Sequence, residues 1–320
     1  MGNFRSSLPF EVVGIMANGE HRIVGSTVRG GGPAVRIPGG CVGWYVRAPA
    51  ETTDSDCVRI VEDLRRSNAH GLSISRTRVT NAGLKCVSQL ATIERLYVTE
   101  SLITDEGLVC LRTMPRLKFL SLACTSITDA GLVHLQPLAR LESLGLLNTA
   151  VTDTGVVRLA HLRGLRELSL SLTQVGDRGL RALKQLPLEV LHLGGTDITD
   201  AGLRDIAQIK TLTTLELWTT SVSDVGLKEL AALPDLAILH LRDTHVGDEG
   251  LKFIAQMRSL SELDLVGTGV TDASIPALCD IRSLRRINLW NTRVTASGME
   301  TLKEALSECS IVDRPPIEME

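Results

Sequence analysis

Residues 120–132, LSLACTSITDAGL, decide the fold, because the same phrase keeps returning along the chain. It recurs as LYVTESLITDEGL at residues 96–108 and as LHLGGTDITDAGL at residues 191–203. Its first position falls at Leu72, Leu96, Leu120, Leu144, Leu168, Leu191, Leu215, Leu239, Leu263 and Ile287, a spacing of 24 residues with one step of 23. A period that regular describes one supersecondary unit stacked on itself, a solenoid, and sets aside most enzyme folds.

Each part of the phrase has a physical task. Leu96 and Val98 alternate with Tyr97 and Thr99, the period-2 pattern of a strand with one face buried. Thr125, Thr149, Thr173, Thr196, Thr220, Thr244, Thr268 and Thr292 recur where the chain leaves that strand. A hydroxyl there can satisfy a loop backbone group, and the recurrence predicts a hydrogen-bonded threonine ladder. In ITDEGL, residues 103–108, Thr104 or Asp105 caps a short helix, and Gly107 with its counterparts lets that helix approach the strand. The unit is strand, turn, short helix and return.

The ITDxGLxxL phrase resembles the cysteine-containing leucine-rich repeats of F-box proteins. It is closer still to the 24-residue, threonine-bearing repeats common in bacterial proteins, notably of planctomycetes. The resemblance covers residues 70 to 312. It implies an α/β leucine-rich repeat solenoid: a right-handed β-α superhelix, horseshoe-like, with a parallel concave sheet and short convex helices. For function it implies a protein-binding module whose partner touches the positions that the repeat leaves free.

Composition narrows the function classes. The chain is 43% hydrophobic but 3% aromatic, as expected where leucine fills an unvarying slot. A formal net charge of -3 without a long charge run leaves no electrostatic footprint for nucleic acid. No apolar run approaches the roughly 18 residues of a membrane span, and the amino terminus lacks a signal-peptide pattern, so a cytoplasmic protein is expected. Seven cysteines lie scattered without a CxxC pair or metal-ligand spacing, and free thiols are expected. No P-loop, HExxH or Ser-His-Asp pattern occurs, so neither a cofactor nor an enzymatic activity is expected.

The ends depart from the repeat. Residues 51–312 are assigned to the solenoid, comprising a degenerate capping repeat from TTDSDCVRIVEDL (Thr52 to Leu64), ten repeats and a final strand at Ile311; residues 313–320 form a tail. Residues 1–50 read as an irregular amino-terminal cap, with a hairpin around Asn18 and Gly19 and a glycine-rich connector, RGGGPAVRIPGG. That connector lacks the Lys-Ser/Thr pair of a phosphate loop. MGNFRS fits an N-myristoylation start at Gly2. LPFEVV, Leu8 to Val13, resembles the opening of an F-box, which implies a helical domain linking the repeats to a ubiquitin ligase.

Binding residues follow from strand register. One outward column runs Ser73, Tyr97, Ser121, Gly145, Ser169, His192, Glu216, His240, Asp264 and Asn288; the next carries Gly194, Trp218, Arg242, Val266 and Trp290 in its second half. Two of the three tryptophans thus stand on the concave face, the residue type of which interaction hot spots are made. Trp218, Arg242 and Trp290 are expected as anchors for a protein partner, with His192, Glu216, His240, Asp264 and Tyr97 around them. The file His192, Glu216, His240, Asp264 has ligand residue types, but its two histidines lie two strands apart, about 9.6 Å at the backbone, too far for one ion with good angles. The expected function is non-enzymatic binding of a protein through residues 190 to 292, with a substrate-recognition subunit of a ubiquitin ligase as the alternative.

Overall fold

A computed structural model describes residues 3–6, 8–28 and 34–314, which fall into two compact units, Met1–Ala150 and Val151–Glu320. The myristoylation-like start at Gly2, residues 29–33 of the glycine-rich connector and residues 315–320 of the tail lie outside the described residues.

The first unit begins with β1 (Asn3–Phe4), β2 (Glu11–Met16), β3 (His21–Ser26), β4 (Val35–Arg36) and β5 (Cys41–Arg47). β1 pairs with β4, and β2 pairs antiparallel with both β3 and β5. The β2–β3 turn carries Gly19 at φ 82°, a conformation that suits glycine. β5 then runs parallel to β6 (Gly71–Ser73), and β7 (Arg95–Tyr97), β8 (Phe119–Ser121) and β9 (Ser143–Gly145) continue the sheet. β2, β3 and β5 are therefore more regular than their sequence suggests, because Val12, Val13, Trp44, Tyr45 and Val46 are all buried in this antiparallel extension. The helical domain implied by the F-box-like start is not formed. Phe10 is fully buried beside Phe4, with ring centroids 5.9 Å apart, and no helix among the described residues precedes Asp54. The ubiquitin-ligase alternative loses its footing there.

In the second unit β10 (Glu167–Ser169), β11 (Val190–His192), β12 (Thr214–Glu216), β13 (Ile238–His240), β14 (Glu262–Asp264), β15 (Arg286–Asn288) and β16 (Ser310–Val312) form a parallel sheet in chain order. Every pairing sets the repeated leucine opposite its counterpart, as in Leu191↔Leu215, Leu239↔Leu263 and Ile287↔Ile311. A short helix follows each of β10 to β15, for example Asp200–Ile206 after β11 and Asp224–Leu230 after β12. Leu203, Ile206, Leu215, Leu217, Leu227 and Leu230 are all 0% exposed, so strand and helix share one continuous apolar layer.

The recurring threonine hydroxyls satisfy loop backbone groups as expected, but among the described residues they are not joined into a ladder. Each hydroxyl instead donates back to the carbonyl three residues earlier in its own turn, as Thr149 to Leu146 at 2.7 Å and Thr220 to Leu217 at 2.6 Å. The residue before it takes a left-handed φ, 51° at Asn148 and 53° at Thr219, and the hydroxyl closes that turn locally.

The bond between repeats belongs to the aspartate of ITD. Asp200 starts one helix and its carboxylate accepts from the next repeat, from Ser223 N–H at 2.7 Å and Ser223 Oγ at 2.6 Å. Asp177 holds Thr199 in the same way at 2.9 and 2.7 Å, and Asp248 holds Thr271 at 2.8 and 2.6 Å. Where Asn81 replaces aspartate the clasp persists with one donor reversed, Nδ2 giving to Thr104 Oγ1 at 2.7 Å. The glycine of the phrase serves this clasp. A Cβ on Gly226 would stand 2.5 Å from Asp200 Oδ1 and 2.7 Å from Leu203 Cδ1, so glycine leaves room for the preceding repeat's carboxylate.

Candidate protein-binding surface

Strand alternation sends His192, Glu216, His240, Asp264 and Asn288 to the open face of the second unit, side by side in register. The first three do not stand independently. His192 Nδ1 lies 2.9 Å from Glu216 Oε2, and His240 Nδ1 lies 3.6 Å from Glu216 Oε1. On its other side His240 Nε2 is 3.3 Å from Glu262 Oε1, which also faces Arg286 at 3.7 Å. One chain of polar contacts thus crosses five strands, His192, Glu216, His240, Glu262, Arg286.

The electrostatics follow from that order. The hydrogen bond from His192, then that from His240, holds the Glu216 carboxyl well below the usual carboxylate range, although burial opposes the shift. His240 is raised above the ordinary histidine value, first by Glu216 against the cost of burial, then by Glu262 and Asp264. Both oxygens of Glu216 are engaged by imidazoles. Among the described residues no three His, Cys, Asp or Glu side chains are grouped so as to hold a metal ion.

Beside this chain the face sinks into a recess of about 470 Å³, lined by Glu216, Trp218, Thr219, His240, Arg242, Asp243 and Asp264. Asp264 Oδ1 accepts the Val266 N–H at 3.0 Å, which fixes the carboxylate at the rim. Arg242 is exposed, and its Nε points to Asp243 Oδ2 at 3.2 Å.

Trp218 has a structural task that the sequence reading overlooked. Its indole lies over the bare backbone of the neighbouring strand, where a Cβ on Gly194 would overlap the ring itself. The ring is half-buried and borders Gly195, whose own Cβ would meet Leu172 Cδ2 at 2.6 Å. Trp290, also half-buried, follows Asn288 at the register position beside Val266 and does not line the recess. Tyr97 stands in the other unit and is not presented freely as expected. It packs on Val13, Ile15 and Tyr45, with its ring centroid 5.1 Å from that of Tyr45. The antiparallel extension, invisible to the repeat pattern, claims its surface.

The column reading also missed Glu262, Asp243 and Arg286. Glu262 and Arg286 lie two residues before Asp264 and Asn288 on the same strands, so the period-2 rule extended one step would have found them. A second depression, on the helix side of the first unit, encloses about 1150 Å³ among Arg65, Lys85, Cys86, Cys110 and Arg112. Burial pushes the Cys86 and Cys110 thiols up, away from the reactive thiolate.

Comparison with known proteins agrees with this architecture. The sequence matches the Leucine Rich repeat family model over residues 161–184, 186–207 and 233–255. An internalin (inlF) from Listeria monocytogenes is 21% identical over 78% of this chain and 81% of its own, with a TM-score of 0.54. An internalin C2 (inlC2) from the same organism is 26% identical over 68% of this chain and 84% of its own, with a TM-score of 0.51. A TDR receptor is 14% identical over 77% of this chain but 43% of its own, with a TM-score of 0.55. No curated protein matches the sequence significantly. The fold is a leucine-rich repeat solenoid, as its repeat phrase implied, and none of these matches points to a catalytic family. No helix among the described residues is long and apolar enough to cross a membrane.

Proposed function

We propose that the protein is a non-enzymatic interaction module that binds a protein partner through the open sheet face of residues 190 to 292. The repeats are of the 24-residue bacterial type, and the module works in the cytoplasm, a setting that seven unpaired cysteines suit. Leucine-rich repeat proteins bind protein partners generally, which supports the class of function. The observation that carries the surface is the recess between Trp218 and Asp264, where an aromatic wall, an exposed guanidinium and fixed carboxylates converge on a sheet held rigid by its clasps. A preformed face of this kind loses little freedom on binding.

Asp264 is the side chain on which to test the reading, because it lines the recess and only its Oδ1 is engaged, by the Val266 N–H. Affinity capture from the native host, with wild type beside Asp264→Asn, reads the result by mass spectrometry. A partner held by wild type and lost by the variant, with an unchanged thermal transition, supports the surface. A partner held equally by both moves the site off this face.

A further inference from the structure

We propose that the recess between Trp218 and Asp264 receives a lysine or arginine side chain of the partner, and that its entry displaces a proton from His240. This rests on the reading of the sheet face as the interaction surface and adds the chemistry of what enters it.

The charge of the lining selects a cation. Glu216, Asp243 and Asp264 contribute three carboxylates, and Arg242 the single guanidinium, already turned to Asp243 at 3.2 Å. With His240 neutral the recess is two charges negative. Asp264 spends Oδ1 on the Val266 N–H, and its other oxygen has no partner among the described residues. Trp218, whose indole packs over Gly194, lines the same recess as the carboxylates. An aromatic face beside fixed carboxylates is the arrangement that holds guanidinium and ammonium groups. An acidic side chain would meet three like charges and one cation that is already paired.

The coupling to a proton follows from what surrounds His240. It faces Glu216 on β12, Glu262 and Asp264 on β14, and Arg242 two residues along its own strand; His192 lies beyond Glu216 and Arg286 beyond Glu262. As imidazolium it donates toward Glu216 and Glu262 together, which cancels part of the recess's negative charge. A partner cation entering the recess competes for the same carboxylates and repels the imidazolium. The neutral ring keeps one N–H for one carboxylate and gives its proton to solvent.

Linkage fixes the direction. His240 is raised above its ordinary value of 6.5, so it is protonated in the free protein through and somewhat above that pH. Release of one proton on binding makes affinity rise with pH by up to about tenfold per unit while His240 titrates, and level off beyond.

The test titrates the full chain by calorimetry with an acetylated (Arg-Gly)4 peptide at pH 6, 7 and 8 and constant ionic strength. A (Cit-Gly)4 peptide, with citrulline as the uncharged isostere of arginine, is the control. Asp264→Asn keeps the Oδ1 acceptor for Val266 and so preserves the strand end, while removing the charge. The arginine peptide is expected to bind more tightly than the citrulline peptide, to lose about tenfold in affinity with Asp264→Asn, and to bind more tightly as pH rises. His240→Gln is expected to flatten that rise. Equal binding of the two peptides, or no loss with Asp264→Asn, overturns the cationic occupant. A flat pH profile in wild type, or a slope retained by His240→Gln, overturns the proton coupling. A native partner lost by Asp264→Asn alongside a failed peptide titration removes the basic side chain and leaves the surface standing. A successful titration with partner capture unchanged removes the surface as the partner's site and keeps the recess.

Discussion

Replacing Gly247 by threonine is expected to stabilise the protein, and the amount can be worked from its neighbours. Gly247 caps the helix Asp248–Ile254 at φ -132°, an extended conformation that any residue adopts. Its N–H donates to Asp224 Oδ1 at 2.6 Å, half of the clasp seen at Thr199, Ser223 and Thr271. In those repeats a hydroxyl completes it, Thr199 to Asp177 at 2.7 Å, Ser223 to Asp200 at 2.6 Å and Thr271 to Asp248 at 2.6 Å. The same oxygen accepts the N–H two residues on, at 3.2 to 3.3 Å. A Cβ at position 247 would meet Asp224 Oδ2 at 3.4 Å, ordinary contact, so the space exists. A hydroxyl bond to a half-exposed carboxylate contributes roughly 1 kcal/mol. A threonine cap improves on glycine by about a few tenths, and the unfolded chain loses freedom worth about 0.4–1 kcal/mol. The sum is about 1.5–2.5 kcal/mol. Urea unfolding followed by far-ultraviolet circular dichroism measures it, with Gly247→Ala isolating the entropic part. Threonine that does no better than alanine would refute the claim that the aspartate–hydroxyl clasp carries stability between repeats.

The converse change, Gly226→Ala, inserts a Cβ 2.5 Å from Asp200 Oδ1 and is expected to cost roughly 1–2 kcal/mol net, the overpacking outweighing the helix propensity of alanine. A double-mutant cycle with Asp200→Ala should recover about 1 kcal/mol or more of that loss, and an additive cycle would sink the explanation. Trp218→Ala is expected to lower stability by roughly 1–2 kcal/mol, because it uncovers Gly194 and Gly195; an unchanged unfolding midpoint would mean the ring only decorates the surface. His240 is raised in the folded state, so its stabilisation is full below 6.5 and fades as pH climbs through the folded value. The stability margin of wild type over His240→Gln should therefore be largest near pH 6, roughly 1 kcal/mol, and shrink by pH 9. A margin that grows with pH contradicts the His240–Glu216–Glu262 arrangement.

The repeat was legible because stacking imposes the same demand on every turn of the solenoid. Leucine spacing gave strand positions that the register of Leu191, Leu215, Leu239 and Leu263 reproduces. The aspartate was legible only as a helix-starting acid. That its carboxylate reaches forward to the next repeat is a contact between residues 23 apart, which local capping rules do not contain. The threonine ladder failed for a related reason. A turn residue can satisfy either a neighbour's backbone or its own, and sequence does not choose between them. LPFEVV misled because six residues of apolar and acidic character suit a buried strand as well as the start of a helical domain. Tyr97 was placed outward by alternation, correctly as to face, but nothing in its own repeat announces that β2 and β5 pack beside it.

The open face was read as a column of residues unconstrained by the repeat, and that premise holds unevenly. Gly194 and Trp218 are coupled: the small residue leaves backbone bare and the large one covers it, so the ring would be retained by packing even without a partner. Trp218 is thereby weaker evidence for binding than its residue type suggests. Arg242 is the opposite case, exposed, paired only with the adjacent Asp243, and supporting no part of the core. Asp264 lies between, anchored by one oxygen and open at the other. Binding arguments on a solenoid should therefore rest on side chains whose removal the scaffold tolerates. By that criterion the weight of the proposed function shifts from the tryptophans to the charged rim of the recess, and the proposal becomes that of a face that reads charge with an aromatic wall rather than an aromatic hot spot ringed by charge.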